Sequence, residues 1–209
     1  MADKKNGFLM IVSAPSGTGK TTLCRLLLKS EPEITFSVSY TTRSQRAGEI
    51  DGKDYHFISN EEFKRMDENG DFLETEAIFN HFYGTSGKDI NKSLAKGKNI
   101  LLDVDTKGAK NLKHTCPEGV FVFILPPSLG TLKRRLAKRG SEDEKNIRLR
   151  MEKACEEIHE NHWYDYVIVN DIINDSLEAL KSIYIAEKHR RKRQTEVIEK
   201  IIRSKRGGI

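Results

Sequence analysis

Short apolar runs alternate with amphipathic stretches along most of the chain. Residues 8–12 read Phe-Leu-Met-Ile-Val, a run of strand length, and after a glycine-bearing turn Thr22-Leu23-Cys24-Arg25-Leu26-Leu27-Leu28 carries leucines at helical spacing. Residues 8–13 and 19–29 are therefore predicted as a β–α unit. Residues 36–40 read as a short strand, followed by a polar loop over 41–49. Asp51-Gly52 signals a turn, and 54–58 a strand after it. Ser59 with Glu62 has the spacing of a capping box, opening a helix to about Asp67 that Asn69-Gly70 closes. Residues 72–78 and 81–83 read as two further short strands.

The β–α alternation then resumes. A helix is predicted over 87–96, a buried strand over 99–105 that ends in acids, and a helix around 106–114. Val120-Phe121-Val122-Phe123-Ile124-Leu125 is a fully apolar core strand stopped by Pro126-Pro127. Ser128 caps a helix to about Lys138, residues 139–145 form a polar loop, and a long helix covers about 143–161. Tyr166 to Asn170 is the last strand, and Asp175 caps a helix with Leu177, Leu180, Ile183 and Tyr184 on its apolar stripe. From Arg190 the chain is basic and ends in a loose helix. Strands joined by helical crossovers predict an α/β fold, a parallel sheet flanked by helices. The short strands between 36 and 84 break the alternation and read as an inserted β-rich subdomain. Ligands of such sheets lie beyond the carboxyl ends of the strands, where the turn after 8–13, Asp103, Asp105 and Asn170 all fall.

That first turn carries the clearest chemistry. Ala14-Pro15-Ser16-Gly17-Thr18-Gly19-Lys20-Thr21 fits G-x-x-x-x-G-K-[ST] except that Ala14 replaces the first glycine, where any small residue serves. Gly17 and Gly19 let backbone N–H groups turn inward, and the following helix adds its positive end. Lys20 brings a mobile charge to outer phosphates, and the Thr21 hydroxyl can ligate Mg²⁺. Asp103 is a candidate acid near that metal, or a strand-end group that holds the turn in shape.

Composition adds bounds. The 209 residues suit one domain, and the net charge of +5 suits an anionic partner without naming it. Cys24, Cys116 and Cys155 are widely spaced, with no C-x-x-C pair, so a reducing cytoplasm is the simple expectation. The start, Met-Ala-Asp-Lys-Lys-Asn-Gly, has no apolar signal core, and no stretch approaches the roughly 20 apolar residues of a membrane span.

A phosphate-binding loop leaves the phosphoryl acceptor open. The N-K-x-D guanine reader of switch GTPases is absent. A small kinase needs a second anion site, an acceptor reader and a positive lid. Arg43 and Arg46 in their polar loop can clamp a phosphate, and Arg135, Arg139 and Arg150 flank the 139–145 loop. Together with Ser39-Tyr40-Thr41-Thr42-Arg43 through Gly48-Glu49 to Phe57, with Phe72-Leu73-Glu74, Tyr83-Gly84-Thr85, Leu102-Asp103-Val104-Asp105 and Val167-Ile168-Val169-Asn170-Asp171, these segments resemble the guanylate kinase family in order over about residues 8–190.

The resemblance implies Mg²⁺-dependent transfer of the ATP γ-phosphoryl group to GMP, and to dGMP, in purine nucleotide metabolism and salvage. It implies that Ala14, Pro15, Ser16, Gly17, Thr18, Gly19, Lys20, Thr21 and Thr22 hold ATP phosphates, with Asn170 near the adenine. It implies that Arg43, Arg46, Tyr55 and Tyr83 hold the GMP phosphate, and that Ser39, Glu74, Thr85 and Asp105 read the guanine. Lys20, Arg43, Arg135, Arg139 and Arg150 are the expected catalytic charges, with Thr21 and Asp103 at the metal. The implied division is a core of about 8–35, 87–138 and 162–190, a GMP-binding subdomain of about 36–86, a mobile lid of about 139–161 and a basic tail of 191–209. The chemistry agrees, since a carboxylate such as Glu74 accepts from guanine N1–H and the N2 amine, while a hydroxyl such as Thr85 donates to O6. Competing readings are a catalytically inert scaffold domain, a kinase for another acceptor, and an RNA-binding protein. Intact Lys20 and Thr21 speak against the first, Glu74 with Thr85 against the second, and the lack of aromatic-rich motifs against the third. The partners expected are GMP and ATP, not a membrane or nucleic acid; a homo-oligomer stays open.

Overall fold

The computed structural model describes residues 7–78, 80–138 and 144–204. Strand β1 (Leu9–Ser13) is buried throughout and feeds helix α1 (Lys20–Ser30). Strand β2 (Ile34–Phe36) follows, then the very short β3 (Tyr40–Thr41) and β4 (His56–Phe57). Helix α2 (Asn60–Glu68) leads into β5 (Phe72–Ile78) and β6 (His81–Ser86). The alternating part resumes with α3 (Gly87–Leu94), β7 (Asn99–Asp103), α4 (Thr106–Thr115) and β8 (Val120–Leu125). Helices α5 (Leu129–Lys138) and α6 (Glu144–His159) precede β9 (Tyr166–Val169) and α7 (Ile173–Lys188). Helix α8 (Thr195–Ser204) ends the described chain.

Two sheets result. The larger is parallel, with strand order β2-β7-β1-β8-β9. Successive residues of a strand point to opposite faces, and helices cover both faces, so the strands read as unbroken apolar runs. On one face Met10, Val12, Leu101 and Val122 pack with Leu23 and Leu27 of α1 and Leu180 and Tyr184 of α7. On the other, Ile11, Leu102, Phe121 and Phe123 pack with Ile90 of α3, Leu112 of α4 and Tyr164. The smaller sheet has the order β4-β3-β6-β5, with β5 and β6 antiparallel. Phe63 of α2 stacks on Phe72 and Phe82, at ring-centroid distances of 4.7 and 5.4 Å, and closes one side of it.

The predicted strand over 36–40 is two strands in different sheets. Phe36 pairs with Leu101 in the large sheet, whereas Tyr40 pairs with Gly84 and His56 in the small one. Ile34 to Tyr40 alternates without a break, so periodicity alone does not show that its ends find different partners. The Ser59 cap forms as expected, accepting from the Glu62 N–H at 3.1 Å, and Ser128 accepts from the Thr131 N–H at 3.1 Å. Asp175 does not cap α7: the N-cap is Ile172, without a side-chain cap, and Asp175 sits in the first turn, where the helix dipole still favours its charge. Beyond α7, Arg193 is held by buried Glu187 at 3.2 Å and lies over the Phe8 ring, which fixes the start of the basic tail on the core.

Phe121 is fully buried in β8, whereas Ile202 on α8 is 56% exposed. Phe121→Ala is expected to lower the unfolding free energy by about 3–5 kcal/mol, and Ile202→Ser to change it by less than about 0.5 kcal/mol, in urea titrations.

Candidate functional site

Parallel pairing brings the carboxyl ends of β1, β7, β8 and β9 to one edge of the large sheet. The turn after β1 occupies that edge. Gly19 is the N-cap of α1 with φ of 97°, a conformation that a Cβ disfavours. A Cβ there would also lie 2.6 Å from the Asn170 amide nitrogen. That amide donates to the Thr18 carbonyl at 2.6 Å. Arg135 Nη1 donates to the same carbonyl at 3.2 Å and to the Asn170 carbonyl at 3.1 Å. Thr18 itself is buried, and its hydroxyl donates to Pro15 O at 3.0 Å. The loop is thus clamped at its Thr18 carbonyl by Asn170, just past β9, and by Arg135 of α5. Ala14 and Pro15 are buried beneath it, while Ser16, Thr21 and Thr22 are exposed.

Lys20 begins α1 and forms an ion pair with Asp103 and a hydrogen bond to Val104 O. Val12 and Asp103 are register partners on adjacent strands, which sets the pair beside the loop. Thr21 Oγ1 donates to the other Asp103 oxygen at 3.1 Å. Both Asp103 oxygens are therefore engaged by the loop residues they orient. One turn on, burial and then the Asp103 charge push the Cys24 thiol far up, so it stays protonated.

A cavity of about 890 Å³ opens between this edge and the small sheet. Lys20, Thr21 and Asp103 line its sheet side, and Ser39, Tyr55, Tyr83, Glu74 and Asp105 line the remainder. Glu74 and Thr85 are register partners across β5 and β6, and Thr85 Oγ1 donates to Glu74 Oε1 at 2.6 Å. Burial holds the Glu74 carboxyl above the usual range; the Thr85 hydrogen bond opposes this and the Asp105 charge adds to it. Asp105 caps α4 by accepting from the Gly108 N–H at 2.8 Å. The rings of Tyr55 and Tyr83 meet edge-on at 5.9 Å. Burial, followed by Tyr83, pushes the Tyr55 hydroxyl up, so it remains a donor.

Arg43 and Arg46 sit at the rim on the loop after β3. Arg43 Nη2 donates to Glu49 Oε1 at 2.7 Å, and the Arg46 N–H donates to Glu49 Oε2 at 2.8 Å. One carboxylate thus staples both ends of the arginine loop, and these two bonds hold it below the usual range. The Arg46 side chain is exposed. Arg135 reaches the phosphate-binding loop through the Thr18 carbonyl, while its helix α5 packs through Leu132 and Leu136 against Ala154 and Met151 of α6. Arg150 is half-buried on α6, and Arg139 lies outside the described residues. Sequence reasoning missed Glu76, which lines the same cavity. Its signal was available: two residues from Glu74 on one strand, it faces the same way. The role of Glu49 was also not read, although it stands within the quoted motif.

A clamped phosphate-binding loop and a hydrogen-bonding pocket facing it across one cavity define a kinase of the P-loop class. The guanylate kinase family model matches residues 6–187. Guanylate kinase of Caldanaerobacter subterraneus subsp. tengcongensis is 45% identical over 201 residues, covering 96% of this chain and 98% of that one. That of Syntrophus aciditrophicus is 47% identical over 198 residues, covering 95% of each. The crystal structure of guanylate kinase from Anaplasma phagocytophilum aligns with a TM-score of 0.74 at 35% identity, over 91% of this chain and 90% of that one. The chain belongs to the guanylate kinase family, and so to the nucleoside monophosphate kinases.

Because burial raises Glu74 above its unfolded value, the folded protein retains a proton there that the unfolded chain has released. That contribution is full below the unfolded carboxylate range and is lost as pH rises through the folded value. Glu74→Gln, which keeps the Thr85 hydrogen bond, is expected to raise the melting temperature at about pH 7.5, with the gain vanishing near about pH 4. Scanning calorimetry at both pH values checks this.

Proposed function

We propose that the chain transfers the γ-phosphoryl group of ATP to GMP, giving ADP and GDP, and that dGMP is accepted too because its base edge is unchanged. The observation that carries this reading is the Glu74–Thr85 pair at the far side of the cavity that Lys20 also lines. Guanine N1–H and the N2 amine donate to Glu74 and Asp105, and O6 accepts from the Thr85 hydroxyl, which turns its one proton from Glu74 to the base as the guanine donors take over that carboxylate, with Ser39 beside it. Adenine presents the reverse pattern and leaves the buried carboxylate without donors, a mismatch worth roughly 10⁴-fold.

The acceptor phosphate lies toward Tyr55, Tyr83, Arg43 and Arg46. Its anionic oxygen is already a nucleophile, so no side chain has to remove a proton from it. Catalysis is then positioning and charge neutralisation. Lys20 and the N–H groups of residues 14–22 take the ATP phosphates, Arg135 and Arg150 add charge beside them, and Asn170 closes the adenine end. Arg139 is assigned to the same task on its position in the sequence.

Mg²⁺ fits the donor set, since the Thr21 hydroxyl is an exposed hard oxygen oriented by the Asp103 carboxylate. Thr21 would hold the ion, with Asp103 behind it; the chemistry supplied is neutralisation of phosphate oxygens. We place the enzyme in purine nucleotide metabolism and salvage, in the cytoplasm, where both substrates are found; no described helix is long and apolar enough to cross a membrane.

Lys20→Ala is expected to lower kcat by about 10³-fold or more while GMP still binds, as loss of transition-state charge stabilisation requires. Glu74→Gln is expected to weaken GMP binding about 10–100-fold and leave ATP binding unchanged. Steady-state kinetics with calorimetric binding tests both. Full turnover of Lys20→Ala, or equal losses for both nucleotides with Glu74→Gln, contradicts the reading.

A further inference from the structure

We propose that helix α8 is a membrane-surface anchor, lying with its apolar face in an anionic lipid bilayer and its basic root against the headgroups.

Helix α8 reads Thr-Glu-Val-Ile-Glu-Lys-Ile-Ile-Arg-Ser. Val197, Ile198, Ile201 and Ile202 stand at i, i+1, i+4 and i+5, which gathers them into one stripe about 140° wide. Glu196, Glu199, Lys200 and Arg203 take the opposite side. The four apolar side chains are 39% to 65% exposed, and no residue of α8 is buried. A helix of ten residues is also shorter than the roughly 12–15 that hold alone in water, so this one gains from a surface to lie on. Its base, by contrast, is fixed. Arg193 is held by Glu187 and lies over the Phe8 ring, Gln194 Nε2 donates to Lys188 O at 2.8 Å, and the Ile198 N–H donates to Gln194 O at 3.0 Å. The stripe is therefore presented from a set position on the core.

Charge selects the partner. From Lys188 onward the chain carries nine Lys and Arg against two Glu, a net charge of +7, so the rest of the chain is −2. At the root, Glu33 pairs with Lys188, Glu118 with Lys192, and Glu187 with Arg190 and Arg193. Those three acids still leave this end at +4. Two such ends repel each other in a symmetric pair of chains. Nucleic acid would use the charge but not four aliphatic side chains. A convex ridge of β-branched residues beside a cationic root suits a surface that is apolar inside, anionic outside and able to deform around the ridge. Arg190, Arg191, Lys192 and Thr195 line a cavity at the foot of α8 and offer donors to a headgroup phosphate. A helix that lies along a bilayer needs no spanning length, so the lack of a spanning helix among the described residues does not bear on it.

The test is co-sedimentation of the full chain with vesicles of phosphatidylcholine, alone or mixed three to one with phosphatidylglycerol. Binding is expected to the mixed vesicles in about 0.1 M NaCl, and at least about tenfold less in about 1 M NaCl, where the screening length falls from about 10 Å to about 3 Å. Phosphatidylcholine alone should bind at least about tenfold less as well. Ile201→Ser with Ile202→Ser should weaken binding about tenfold or more and leave turnover of MgATP with GMP unchanged. Ile201→Leu with Ile202→Leu should stay within about twofold, because a fluid surface reads hydrophobicity rather than shape. Arg191→Ala should weaken binding about fivefold.

Equal binding to both kinds of vesicle, full binding by the double serine variant, or loss of binding by the double leucine variant overturns the inference; the last would mark a packed protein contact. Absence of binding to the mixed vesicles overturns it too. Retention on poly(U) would then name nucleic acid as the occupant, and a dimer in light scattering that the double serine variant abolishes would name a second copy of the chain.

Discussion

The ion pair between Lys20 and Asp103 is the constraint on which the site depends. It exists because β1 and β7 are adjacent parallel strands in a register that sets Val12 beside Asp103. That register is in turn fixed by an apolar face on each side of the sheet, since a slip of one residue would move Met10 and Val12 to the wrong face. The loop between Ser13 and Lys20 is then held from the opposite side, where Asn170 and Arg135 draw the Thr18 carbonyl outward. A backbone gripped by its carbonyls presents its N–H groups the other way. The backbone of the loop is therefore ordered by the fold itself, so the anion site we propose there has part of its ordering cost met by folding.

The acceptor half is organised differently. It places the carboxyls of Glu74, Glu76 and Asp105 in a partly closed cavity, and burial disfavours the charged forms of the two glutamates. Such a pocket is less stable empty than an apolar one, which is the usual relation between stability and a polar recognition site. The specificity we propose follows from the same fact, because only a base that donates at those positions satisfies the buried acceptors. The rim arginines are treated in the opposite way, with Glu49 answering the charge of Arg43 and fixing the turn at Arg46.

Much of this was legible in the sequence, for identifiable reasons. β8 is six consecutive apolar residues bounded by two prolines, so its existence needed no tertiary knowledge. The motif of the phosphate-binding turn and the Ser59 cap are local patterns, each carried by residues within a few positions of one another, although the turn is held in place from Asp103, Asn170 and Arg135. What was not legible depended on pairing at a distance. The split of Ile34 to Tyr40 between two sheets requires knowing where Leu101 and Gly84 lie. The contact of Arg135 with Thr18, 117 positions away, has no local signal either. Glu76 belongs to no motif, and its place in the cavity beside Lys107 shows only once β5 is set against α4.

The most direct measurement of the central claim is ADP release from MgATP with GMP, AMP, CMP, UMP and dTMP offered separately. The account predicts rapid turnover with GMP and a kcat/KM lower by roughly 10⁴-fold with AMP, because adenine cannot supply the donors that Glu74 and Asp105 require. Comparable kcat/KM for GMP and AMP would contradict it, since the carboxylates facing the cavity would then not be reading the base.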